Sequence, residues 1–73
     1  MITKGDRVKI KSVPTEDSYY PSKEEKEDYL TTVGKKGVVT YVVQSDFPTI
    51  IFDVKLDING VVYSYEEHEL EKI

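Results

Sequence analysis

Cysteine and tryptophan are absent from this 73-residue chain, and histidine and methionine occur once each. Without cysteine there is no disulfide, no thiolate metal ligand and no cysteine nucleophile, and a reducing cytoplasm is the expected compartment. No apolar run approaches the roughly 18–20 residues needed to span a bilayer, and Met1-Ile2-Thr3-Lys4-Gly5 has no apolar signal core, so neither secretion nor membrane insertion is expected. Also missing are a serine nucleophile with a spaced base, a cofactor fingerprint and a phosphate loop. Gly34-Lys35-Lys36-Gly37 is too short for such a loop and has no helix after it. The chain is therefore expected to be no enzyme on its own, with no cofactor and no metal.

Apolar residues make up 38% of the chain and charged residues 33%, and the apolar ones fall in alternating runs of the kind that disordered chains lack. One domain, 1–73, is expected. A core this small cannot also enclose a large cavity, so a ligand should meet a groove or a loop surface. The net charge of −4 is unevenly spread, with a basic first dozen residues and acidic stretches at 16–28 and 66–72. That field disfavours a polyanion overall, although the basic strand could still touch one.

From Arg7 to Ser12, Val8 and Ile10 alternate with Arg7, Lys9 and Lys11, the period-two pattern of a half-buried strand, and Val13-Pro14 ends it. Residues 13–36 form a long connection. Within it Ser22-Lys23-Glu24-Glu25 reads as a capping box, so a short helix is expected near Lys23 to Tyr29. Tyr29 and Leu30 should face the rest of the fold, with Glu24, Glu27 and Asp28 in solvent. Gly37 to Gln44 is apolar on both faces, placing Val39, Tyr41 and Val43 together and implying a strand covered on two sides. After a break at 45–48, Thr49 to Asp57 alternates clearly, with Ile50, Phe52, Val54 and Leu56 on one face.

Asn59-Gly60 is a strong hairpin signal. Taken as a two-residue turn, it sets Ile58 opposite Val61, Leu56 opposite Tyr63 and Val54 opposite Tyr65. Every pair on that face is then apolar or aromatic.

The order of Gly5-Asp6-Arg7-Val8-Lys9-Ile10, Gly34 to Val39, Asn59-Gly60 and Glu66 to Ile73 resembles the Src homology 3 fold over essentially the whole chain. The expected class is all-β: a five-stranded SH3-like barrel with a long first loop carrying a short helix. The strand openings are similar to those of KOW domains and of the accessory subunits of nitrile hydratase and ferredoxin-thioredoxin reductase. Signalling domains of the fold carry an Ala-Leu-Tyr-Asp-Tyr-like segment, a tryptophan opening the third strand and a proline-tyrosine pair before the last. Here Thr49 and Ile50 open the third strand and Glu67-His68-Glu69 fills the final turn. What the resemblance leaves is Tyr19-Tyr20-Pro21 with Glu16 and Asp17, aromatics and carboxylates of the kind a proline-rich basic peptide contacts.

A protein-interaction module is the first reading, with Glu16, Asp17, Tyr19, Tyr20, Pro21, Phe47 and Pro48 meeting a protein partner. Tyr19 and Tyr20 are either that surface or local loop packing. The alternative is a KOW-like nucleic-acid or ribosome contact through Arg7, Lys9, Lys11, Lys35 and Lys36, opposed by the acidic loop beside it. Those lysines are read rather as facing Glu69 and Glu71 across a pairing of the first and last strands. A third reading is a non-catalytic accessory subunit of a larger enzyme. Monomer and weak homodimer by edge pairing both remain open. His68 with Glu66, Glu67 and Glu69 is read as a solvated turn, and Asp53 and Asp57 as a polar outer face, rather than metal or acid-base sites.

Overall fold

The alternation at Arg7–Ile10 becomes strand β1 in the computed structural model, which describes residues 2–44 and 49–73. Strands β2 (Lys36–Gln44), β3 (Ile50–Leu56), β4 (Val62–Glu66) and β5 (Leu70–Lys72) follow, with helix α1 (Lys23–Thr32) between β1 and β2. All pairings are antiparallel, in the order β4-β3-β2-β1-β5. First and last strands thus pair, and the sheet is open, with β4 and β5 at its edges. Short 3-10 turns occupy Asp17–Tyr19 and Glu67–Glu69. Among the described residues no helix is long and apolar enough to cross a membrane.

The inner face follows from the alternation. Val8, Ile10, Val39, Phe52, Val54, Leu56, Tyr65 and Leu70 are buried together, and Ile2 and Val13 close the ends of this core. Gly37 lies where β2 passes between Val8 of β1 and Leu56 of β3. A β-carbon there would stand 2.5 Å from the Lys55 carbonyl oxygen and 2.8 Å from a Val54 methyl, so only glycine allows the approach.

Strand β2 departs from the expected parity. Val39 faces Val54 but Tyr41 faces Asp53, so Thr40 is an extra residue, and its hydroxyl donates to the Asp53 carbonyl at 3.3 Å. A bulge of this kind flips every later side chain to the opposite face. Val42 therefore packs on the core, whereas Tyr41 and Val43 are exposed, correcting the expectation that they share a face with Val39 and that β2 is covered on both sides.

The hairpin is present with a longer turn. Val54 faces Tyr63 and Phe52 faces Tyr65, a shift of two residues that keeps every face intact. The Leu56 N–H donates to the Val61 carbonyl and the Gly60 N–H to the Leu56 carbonyl, so Asp57 to Gly60 form a four-residue loop. Gly60 adopts φ +70, the left-handed conformation that closes it, and Asn59 Oδ1 accepts the Val61 N–H. Two-residue and four-residue loops preserve the same alternation, which is why the pattern did not separate them.

Helix α1 begins where expected, with Ser22 Oγ accepting the Glu25 N–H at 3.2 Å, the Ser22 half of the expected capping box. It runs to Thr32, one turn beyond the expected end, and Gly34 then donates to the Ile10 carbonyl. Its inward residues are Tyr29 and Thr32, three apart and so on one face, while Leu30, expected inward, is exposed.

Candidate functional site: a tyrosine-walled groove beside strand β4

Tyr29 is the hub of an aromatic cluster. Its ring centroid lies 5.0 Å from that of Tyr63 and 5.7 Å from that of Tyr65, both edge-on, and 5.5 Å from that of Tyr20. Such geometries are favourable for rings with negative faces and positive edges. The hydroxyls are assigned individually. Tyr20 donates to the Pro14 carbonyl at 2.7 Å, and Tyr65 donates to Thr32 Oγ1 at 2.8 Å, whose own hydroxyl donates to the Tyr29 carbonyl at 2.6 Å. Burial pushes the Tyr20, Tyr29 and Tyr65 hydroxyls up from their ordinary range, so all three remain protonated at neutral pH.

Between this cluster and the first loop runs an open groove of about 270 Å³. Pro14, Tyr19, Tyr20, Tyr29 and Tyr65 form its apolar wall, and Glu25, Glu66 and Glu69 supply carboxylates. Tyr19 is 65% exposed and stands at its rim, whereas Tyr20 is half-buried and tied down. The adjacent sequence positions thus divide, Tyr20 into loop packing and Tyr19 into surface. Glu16 lines a neighbouring depression with Tyr19 and His68. Asp17 is paired with Lys26 at 2.6 Å, and Pro21 is exposed. Phe47 and Pro48 lie outside the described residues.

Glu69 departs from the expected solvated turn. The residue is 4% exposed, and its Oε1 accepts the Glu66 N–H at 2.8 Å, with the Glu66 side chain reciprocating to the Glu69 backbone. Burial is the main cause of its carboxyl being pushed up, opposed by the Glu66 N–H and by His68, with the Glu66 charge adding to the rise. The signal was present in the spacing of Glu66 and Glu69, that of a reciprocal cap.

The basic residues Arg7, Lys9 and Lys36 share the exposed side of β1 and the start of β2. The Arg7 guanidinium makes two parallel bonds to Asp57, at 2.7 and 2.5 Å, which hold that carboxyl below its usual range. Lys9 stands across the ladder from Glu71 on one side and from Lys36 on the other. Lys11 follows β1, its N–H on the Glu69 carbonyl, and Lys35 precedes β2 with its carbonyl on Ile10. Asp53 accepts the Ser64 hydroxyl at 2.8 Å. Comparison with protein-family models, with curated proteins and with solved structures found no match to this chain.

Proposed function

We propose that this chain is a protein-interaction module of the SH3-like kind, holding an extended, positively charged peptide segment in the groove between the first loop and β4. The observation that carries the reading is the groove itself: an apolar tyrosine wall with an exposed Tyr19 and three carboxylates, Glu25, Glu66 and Glu69. Aromatic rings offer flat apolar area at low entropic cost, and the carboxylates favour a cationic partner over an anionic one. The SH3-like part of the proposal is supported by the strand order, by the pairing of first and last strands, and by the 3-10 turn before β5. The three lining carboxylates and the Arg7–Asp57 pair weigh against a nucleic-acid role for the opposite flank.

The test is selection from a displayed peptide library, followed by titration of the enriched sequences against the wild type and Tyr19→Ala. Enrichment of basic sequences, with affinity reduced about tenfold by the substitution, is the expected result. Enrichment of acidic sequences, or affinity indifferent to Tyr19, would overturn it.

A further inference from the structure

The bulge at Thr40 turns Tyr41 onto the outward face of the sheet, where among the described residues Tyr41, Lys55 and Val62 are exposed. Two neighbouring rows cross it. One contains Tyr41, Asp53 and Ser64, and the next contains Arg7, Val38, Lys55 and Val62, with the Arg7 charge already met by Asp57. Tyr41 is 58% exposed and Val62 is 50% exposed. Among the described residues Lys55 is exposed and makes no ion pair, and the Asp53 carboxylate accepts a hydrogen bond from the neutral Ser64 hydroxyl alone.

We propose that this face is a two-fold self-association surface, on which a second copy of the chain stacks so that Asp53 meets the partner's Lys55 and Lys55 meets the partner's Asp53. Residues 53 and 55 lie on one face about 7 Å apart, and sheets stack about 10 Å apart, within the reach of a lysine side chain. A two-fold axis lying in the contact plane, perpendicular to β3 at the level of residue 54, reverses the strand and exchanges the two rows. Tyr41 then covers the partner's Val38, Ser64 lies against the partner's Val62, and both charge pairs form at once. An isologous contact requires such self-complementarity, and a face with opposite charges two residues apart on its central strand has it.

Strand-edge pairing, the other route to a dimer, is obstructed at β4. The outward amides of Ser64 and Glu66 are already occupied by the Tyr29 hydroxyl and the Glu69 carboxylate. The proposed patch has few apolar side chains compared with the roughly 20–30 residues a side of a standard interface, so the association belongs at the weak end of the scale.

The experiment is sedimentation equilibrium of the whole chain from about 10 µM to about 1 mM, the range in which weak complexes form. It covers wild type, Asp53→Lys, Lys55→Asp, the double swap and an equimolar mixture of the two single variants, each checked for folding by circular dichroism. Wild type should dimerise, and each single swap, which sets like charges face to face, should weaken the dimer on the order of tenfold or more. The double swap should restore it. If Asp53→Lys or the double swap fails to fold, Lys55→Asp alone still decides, since it must weaken the dimer. Where both single variants fold, their mixture should form a heterodimer, one chain presenting two lysines and the other two aspartates. A wild type monomeric throughout, or a dimer indifferent to Lys55→Asp, would overturn the proposal.

Discussion

The Tyr29 hydroxyl accepts the Ser64 N–H at 3.2 Å, so a residue of α1 takes the hydrogen-bonding place that a neighbouring strand would fill on edge strand β4. Two amides farther along, the Glu69 carboxylate does the same for Glu66 at 2.8 Å. Open edges template aggregation, and these two side chains close this one without a further strand. The same contacts fix the wall and floor of the groove, so edge protection and the candidate site share their residues.

Tyr29→Phe keeps the aromatic packing and removes only the acceptor for Ser64. Loss of one such bond should cost about 1 kcal/mol. Amide hydrogen exchange should accelerate at Ser64 more than in β1 or β2, and light scattering at high concentration should rise. Unchanged exchange at Ser64 would show that the hydroxyl does not protect the edge.

Glu69→Gln retains an oxygen for the Glu66 N–H and removes a buried charge. The folded carboxyl of Glu69 is raised by burial, so its contribution to stability is complete below the ordinary carboxylate range and is lost as pH rises through its folded value. The substitution should therefore raise the melting temperature near neutral pH, with the difference from wild type shrinking toward acid. Asp6, held low by the Thr3 N–H and by Lys72, and Asp57, held low by Arg7, have the opposite dependence and cancel in that difference. A difference flat with pH would contradict the account.

Gly37→Ala places a methyl against the Lys55 carbonyl and Val54, where backbone cannot yield cheaply. Overpacking of this kind costs about 1–3 kcal/mol. For a domain of this size each kcal/mol lowers the melting temperature by about 4–8 °C, so thermal unfolding followed by circular dichroism resolves it easily. A melting temperature within a degree of wild type would mean that β2 and β3 are farther apart than described.

The face pattern of the fold was legible in the alternation of Val8 with Ile10, and of Phe52 with Val54 and Leu56, because one-sided burial imposes period two. The Ser22 cap was legible from the spacing of Ser22 and Glu25. The bulge was not. Val38, Val39, Val42 and Val43 make both faces of β2 apolar, and a slip of one residue leaves no mark in such a run. Nor was the turn length legible, since Asn59-Gly60 fits the end of a four-residue loop as well as a two-residue turn. At the candidate site, Tyr19 and Tyr20 were visible as loop aromatics, but their different fates depend on the Tyr20 hydroxyl reaching Pro14 and the ring meeting Tyr29. The joining of Tyr29 to Ser64, 35 positions away, is a tertiary contact that no local pattern encodes.

The central claim is that the groove beside β4 receives a basic peptide, and the most direct measurement is an amide chemical-shift map. Uniformly ¹⁵N-labelled protein would be titrated with an arginine- and proline-containing peptide, and in parallel with its glutamate-substituted counterpart. The account predicts shifts concentrated at Tyr19, Glu25, Ser64, Glu66 and Glu69 with the basic peptide, and none with the acidic one. Shifts confined to Arg7, Lys9, Lys11 and Lys36, or a response to the acidic peptide instead, would contradict it.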